Sequence, residues 1–391
     1  MSPHENVQLR IHDLRAKLEV INRAMAEEMA KVYKRRRDHL LRFLYLEREV
    51  YSLALTELEA ISQNGTKQGV DKAFPTYDPE QVIDYTEVEV KGRKKTAPAS
   101  RIHRLVAWGG IGDALLMTPA IRTFKRRDPT CRVHVYCERK LHKEILKNNP
   151  YIDRLVFVGS WGKTILQLIS ERKLMTFRWG NYWLLGPNLL YNNKAAEIMG
   201  EKLGIGIDST QLDCFITEAE EVEAKKVISD YTNPVVIQVN SISSTNKHWP
   251  AENWKKLVLA NPQYNFLQLG YADEELIEGA VDLRGKTTLR QSLGIVKAAK
   301  AFVGVDSALA HVAAAFHTPA VVLFGPSSPA VFGHDVNKNL YNAPRCSPCM
   351  DLLGKSPCPY GIQCMSNITV SDVEHALSLS IAQAAERGGQ H

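Results

Sequence analysis

At 391 residues and 45% apolar content, the chain is long enough to bury a large core, and its length favours two domains or more. A formal net charge of +6 suits an acidic ligand or an anionic surface without demanding nucleic acid, and no nucleic-acid partner is expected. The N-terminus, MSPHENVQLRIHDLRAKLEV, lacks the apolar core of a secretory signal, which predicts a cytoplasmic, reducing setting.

In chain order, residues 1–65 read as a helical extension. Val7 to Ile61 holds no proline or glycine, and Ile11, Leu14, Leu18, Ile21, Met25 and Val32 recur at helical spacing, the pattern of a long helix or a helical hairpin with coiled-coil character. The basic run Lys34 to Arg37 interrupts that seam and reads as a solvated face; an anionic-lipid contact, as at the inner membrane, or a nucleic-acid contact is the alternative. An apolar stripe of this length needs cover, by self-association, by a partner or by the body of the same chain. Residues 66–100, with SQNGTKQG across their start and the alternating YTEVEVKG inside, read as a linker with a small hairpin.

From Arg101 the pattern alternates strands and helices. RIHRLVAW predicts a strand, Asp113 to Arg126 a helix, CRVHVYCE a strand, His142 to Asn148 a helix and DRLVFVG a strand. Ser160 to Ala196 is rich in Trp, Tyr, Leu and Asn with no clear period. A second set starts at PVVIQVN and runs through Trp254 to Ala260, YNFLQLG, LRQSLGIVKAAKAFVGV, Ala308 to Phe316 and PAVVLFG. The weakly charged run Ala301 to Pro326 is broken by Gly304, Asp306, His311, His317 and Pro319, so it reads as strand, helix, strand and not as a membrane span. The expected architecture is α/β: two Rossmann-like domains, 101–230 and 231–391, facing a cleft, with ligands at the carboxyl ends of their strands.

The turn GGIGDALLMTP follows the first strand of that body. Glycines between strand and helix usually cradle a phosphate, yet here Asp113 occupies the helix start. A dinucleotide fingerprint would need a third glycine where Leu115 stands, although Glu138 closes the second strand where a ribose-binding acid belongs. A carboxylate beside a pyrophosphate is a like-charge contact, and the helix terminus returns only about 0.3–1 kcal/mol. That disfavours a dinucleotide-dependent oxidoreductase. Two readings of Asp113 remain: a helix cap, or a base that takes a proton from a hydroxyl, with Gly110 and Gly112 keeping the backbone low on the acceptor side.

In the second half, NKHWPAENW places Lys247 near a strand end ahead of a proline-started helix, where an ammonium suits a phosphate. FVGVDSALAHVAAA places Asp306 and Ser307 at a strand end and His311 one turn into the next helix. The first two could cap that helix or bind sugar hydroxyls and phosphate oxygens; His311 reads equally as a core residue or as part of that ligand loop.

These segments, GGIGDALLMTPAIRTFKRR, NKHWPAENW, VDLRGKTTLRQSLGIVKAAKAFVGVDSALAHVAAAFHTPAVVLFGPSSP and CSPCMDLLGKSPCPYGIQCMSNITVSDV, resemble glycosyltransferase family 9, the ADP-heptose-dependent heptosyltransferases of lipopolysaccharide core synthesis. The resemblance implies a GT-B fold, a glycan acceptor on the first domain and an ADP-sugar on the second. It gives Asp113 the role of catalytic base and Lys247 that of the phosphate lysine, with Asp306, Ser307 and His311 in the sugar-nucleotide loop. Ser307-Ala308 departs from the Thr-Gly pair of many members, and the first hundred residues lie outside the usual enzyme, which leaves the sugar and the acceptor (core oligosaccharide, another surface glycan or a protein) open. The implied chemistry is an inverting displacement with no cofactor, since no Asp-x-Asp motif offers to hold Mg²⁺. A non-catalytic scaffold held by the N-terminal helices is the competing class.

Cys346, Cys349, Cys358 and Cys364 form C-x₂-C-x₈-C-x₅-C, a spacing that reads either as a structural Zn or Fe clip or as free thiols or redox-labile pairs. Cys131, Cys137 and Cys214 read as ordinary strand or core residues.

Overall fold

The computed structural model describes residues 101–159, 178–180, 193–342, 344, 347–348, 358 and 360–388. The predicted helical extension, the linker and most of the aromatic stretch 160–196 lie outside the described residues, as do Cys346 and Cys349.

The first half runs β1 (Ile102–Ala107), α1 (Ile111–Leu116), α2 (Thr118–Arg127), β2 (Arg132–Cys137), α3 (Lys140–Leu146), β3 (Arg154–Phe157), β4 (Arg178–Gly180), α4 (Ala195–Lys202) and α5 (Glu218–Ile228). The second runs β5 (Pro234–Gln238), a 3₁₀ turn (Thr245–Lys247), α6 (Ala251–Ala260), β6 (Asn265–Gln268), β7 (Val281–Asp282), α7 (Leu289–Ala298), β8 (Ala301–Val305), α8 (Ala308–Ala315), β9 (Ala320–Phe324), α9 (Pro329–Phe332), β10 (Lys338–Tyr341), α10 (Gln363–Ser366) and α11 (Val370–Gly388). The strands pair in parallel in two sheets, ordered β3-β2-β1-β4 and β10-β9-β8-β5-β6-β7. β8 and β9, AFVGV and AVVLF, are buried along their whole length, the continuous apolar run expected of a parallel strand covered on both faces.

The single helix expected over Asp113–Arg126 is two. Met117 ends α1 and caps α2, because Pro119 in the first turn of α2 has no N–H to give Leu115; the Thr118 hydroxyl bonds the Leu115 carbonyl at 2.7 Å instead. The helix after Lys247 likewise begins one residue past Pro250, which stands as its cap.

One apolar cluster holds side chains from both halves, among them Leu115, Ile121, Val236, Leu293 and Phe302. α5 begins with a reciprocal cap, the Thr217 hydroxyl accepting from the Glu220 N–H and the Glu220 carboxylate from the Thr217 N–H, and then packs on α7. Arg290 of α7 pins that contact: its guanidinium holds Glu220 at 2.5 and 2.8 Å and reaches the carbonyls of Phe215 and Glu144. Among the described residues no helix is long and apolar enough to cross a membrane.

Candidate active site

The strand order decides where a ligand crevice forms. In an open parallel sheet it lies beyond the carboxyl ends of the strands at the point where the order reverses. The first sheet reverses between β1 and β4, the second between β5 and β8. β1 leads into Gly109 and Gly110, β5 ends at Gln238, and β8 ends beside Asp306. The residues singled out for chemistry therefore sit at both reversal points.

Asp113 lies in the first turn of α1 and is buried. Its Oδ2 accepts the Gly110 N–H at 2.5 Å, so the carboxylate does cap its own helix. Gly109 has φ +102°, a conformation side chains rarely adopt, and a Cβ there would overlap the Asp113 carboxylate. Burial raises the Asp113 pKa to about 7, against the Gly110 N–H and Lys247, which lower it, with Asp306 adding to the rise. Capping therefore does not exclude the base reading, because a carboxyl group that titrates near 7 can take up and release a proton at neutral pH.

His142 braces this turn from behind. It is fully buried, with Nδ1 3.1 Å from the Ala107 carbonyl and Nε2 3.1 Å from the Gly109 carbonyl. Burial holds its pKa below the ordinary histidine value. The neutral ring has one N–H and donates to one carbonyl at a time. In the sequence His142 is one residue of a predicted helix, with no motif around it; only the packing of α3 against α1 brings it to the turn.

In the second half, Lys247 Nζ meets Asp306 Oδ2 at 2.7 Å, and the Ser327 hydroxyl donates to the same oxygen at 2.6 Å; all three residues are buried. Burial works to raise the Asp306 carboxyl, but Lys247 and the Ser327 hydroxyl outweigh it and hold the group below the usual carboxylate range. Neither candidate cap behaves as one. Asp306 is committed to Lys247, and Ser307, at the capping position of α8, gives its hydroxyl to Gln238 at the end of β5.

The two halves meet across this crevice. A Cβ on Gly112 would stand 2.8 Å from Cδ2 and 3.3 Å from Nε2 of His311, so glycine is what lets α1 approach α8 so closely. His311 is buried, and its Nδ1 lies 2.7 Å from Nε2 of His334. Asp113, Lys247, Asp306 and His311, nearly 200 residues apart in the chain, are brought to one place.

The tail closes on the same turns. The Cys358 N–H donates to the Asn246 side chain at 3.1 Å, Trp249 Nε1 donates to the Ile368 carbonyl at 2.9 Å, and Cys364 and Met365 pack under Gly325. Among the described residues no group of three or more His, Cys, Asp or Glu side chains is arranged to hold a metal; Cys346 and Cys349 of the predicted clip lie outside the described residues. Cys131, Cys137 and Cys214 are buried, and burial pushes the thiols of Cys137 and Cys214 up to about 12, as inert core residues require.

Residues 193–354 match the model of glycosyltransferase family 9 (heptosyltransferase). Over this stretch, less than half of its length, the chain is similar to that family. The family 9 match includes Lys247, Asp306, Ser307 and His311, while Asp113 lies before it. Lipopolysaccharide heptosyltransferase 1 of Salmonella typhimurium is 28% identical over 150 residues, 36% of this chain and 46% of the relative. The chain spans about half the length of the first curated relatives it matches, at 46%, 50% and 48%. Among solved structures, the Escherichia coli ADP-heptose lipopolysaccharide heptosyltransferase II superposes with a TM-score of 0.54 at 17% identity, covering 73% of this chain and 99% of that one. The dodecameric iron-containing heptosyltransferase TibC, in complex with ADP-D-β-D-heptose, gives 0.54 at 17% identity over 73% of this chain and 76% of TibC. The shared architecture is the GT-B fold of two facing Rossmann-like domains.

Proposed function

We propose that this chain is an inverting glycosyltransferase that moves a heptose from ADP-heptose to a hydroxyl of the lipopolysaccharide core. The observation that carries the reading is the placement of Asp113, a buried carboxyl with a pKa near 7, against the Lys247, Asp306 and His311 constellation of the opposite half. The names of the relatives supply the sugar and the acceptor.

In this mechanism Asp113 takes the proton of the acceptor hydroxyl as its oxygen attacks the anomeric carbon, and the bond to the diphosphate breaks on the opposite face. One carboxylate suffices and no covalent intermediate forms; general-base help of this kind is worth about 10²–10⁴ in rate. Lys247 faces the leaving diphosphate. In the free protein it is held by Asp306, so the sugar-nucleotide takes over an ammonium already desolvated and aimed. Packing of α1 against α8 keeps water from the sugar-nucleotide.

We further propose a structural Zn or Fe at Cys346, Cys349, Cys358 and Cys364, outside the chemistry, a reading to which the iron named for TibC lends support. The N-terminal segment would serve self-association, and the enzyme would work in the cytoplasm, touching the inner membrane peripherally. The test is direct: purified protein, ADP-heptose and heptose-deficient lipopolysaccharide should yield acceptor heavier by one heptose in mass spectrometry, with inverted anomeric configuration. Absence of that product while ADP binds in calorimetry would overturn the acceptor assignment, and absence of ADP binding would overturn the enzyme class.

A further inference from the structure

His334 stands on the loop between α9 and β10, in a stretch (GHDVNKN) that matches no motif read from the sequence. Its Nε2 lies 2.7 Å from His311 Nδ1, and the two rings meet edge to face, 5.0 Å apart at 85°. His311 is buried, and burial lowers the pKa of both rings, that of His334 to about 3, so the pair is neutral. A contact between two neutral imidazoles carries one hydrogen, and its position sets the tautomer of His311. The other ring nitrogen of His311, Nε2, faces Gly112 on the opposite wall. Of the two charges that act on this ring, the Asp306 carboxylate outweighs its ion-pair partner Lys247. A lone pair aimed at that surround is disfavoured, and an N–H is favoured.

The loop is also gripped from the first half. Lys194, at the start of α4, places Nζ 3.0 Å from the Gly333 carbonyl and 2.9 Å from Asp335 Oδ1, the residues on either side of His334. Asp335 is largely exposed, so that ion pair contributes little by itself; the half-buried bond to Gly333 fixes the backbone. A cavity of about 190 Å³, lined by Leu116, Lys194, Gln211, Ala314 and His334, lies beside this grip.

We propose that His334 is a positioning residue: it donates its Nε2–H to His311 Nδ1, fixes His311 as the Nε2–H tautomer, and so presents a hydrogen-bond donor to the sugar-nucleotide diphosphate, with Lys194 seating His334 from the other half. The role of the diphosphate rests on the transferase reading; the tautomer does not. The experiment uses the full chain labelled with ¹⁵N-histidine, the His311 signal being assigned from the His311→Asn variant. Wild type should show a protonated Nε2 and an unprotonated Nδ1 on His311. His334→Leu should scramble the two forms, and His334→Gln, whose amide N–H reaches the same atom, should restore the wild-type signature. ADP affinity by calorimetry should fall about three- to tenfold in His334→Leu, the effect of one lost hydrogen bond, and recover in His334→Gln. Lys194→Met should shift the His311 signal partway. A protonated Nδ1 on His311 in wild type, or an unchanged His311 signal in folded His334→Leu, would overturn the proposal. The expected tautomers in a protein that transfers no sugar would uphold the positioning and count against the transferase reading alone.

Discussion

Asp113 and Asp306 stand at the two reversal points, both almost wholly buried, at 6% and 4% exposure, and they titrate in opposite directions. Burial presses both carboxyls toward the neutral form. Asp306 has an ammonium at 2.7 Å and a hydroxyl at 2.6 Å to answer it, whereas Asp113 has a backbone N–H and a more distant share of Lys247. The same residue type at the same depth becomes a permanent anion in one half and a proton acceptor in the other. Partners, and not burial, assign the role.

The largest effect that would break this comparison is on rate. Asp113→Asn keeps the size and the capping oxygen but removes the basic lone pairs, so turnover should fall by about 10²–10⁴ with ADP-heptose affinity within a few-fold. A transfer assay beside calorimetry reads both. Near-normal turnover would return Asp113 to a cap alone.

Lys247→Ala strikes the other half. It leaves Asp306 buried without its cation, a loss of about 3–5 kcal/mol in urea unfolding, and it weakens ADP binding. Adding Asp306→Asn should recover much of the stability but not the ADP affinity. A Lys247→Ala protein as stable as wild type would show the pair to be far weaker than its geometry.

Changing pH sharpens the contrast without a mutation. The rate should rise about tenfold per unit below a pKa near 7 and level off above it, and Asp113→Asn should abolish that limb. Stability runs the other way. From about pH 4 to 7 the folded state keeps the Asp113 proton that the unfolded chain, with a pKa of 3.8, has released, so this group's contribution falls as pH rises through that window. Asp306 contributes the opposite slope: its stabilisation is present above 3.8 and lost as pH falls through its depressed folded value.

Chelation should affect only the second half. If the four cysteines hold a metal, purified protein contains about one Zn or Fe per chain, and its removal lowers the melting temperature and loosens the Asn246 turn beside Lys247 while the Asp113 limb of the pH profile stays put. Metal content near zero in protein prepared reduced and without chelator would end that assignment. The smallest effect is expected from deleting residues 1–65: both reversal points remain, so turnover holds while the mass by light scattering falls. An unchanged mass would remove the self-association reading.

Much of this was legible before any coordinates. The alternation of β-rich runs with helical spacing announced two α/β units, since a buried parallel strand must be apolar throughout and its crossover helix amphipathic. Lys247, Asp306, Ser307 and His311 could be marked because they cluster at strand ends within recognisable segments. The break at Met117 was readable in principle from Pro119, whose missing N–H is a local fact, yet the apolar period ran through it.

What the sequence by itself determined is whatever depends on neighbours along the chain: element type, the glycine turn, the candidate chemistry of each half. The tertiary structure decided what depends on neighbours across it. Strand order placed β1, β5 and β8 at the reversal points, the approach of α1 to α8 set Gly112 against His311, and Lys247 found Asp306 instead of solvent. His142 and His334 gained their roles only there, because hydrogen bonds and charge coupling act over a few ångströms of space, whatever the separation in sequence. For the same reason the sequence could offer cap and base only as rival readings of Asp113, while the folded chain leaves them compatible: the Gly110 N–H that the carboxylate caps also holds that carboxylate in place in its buried site.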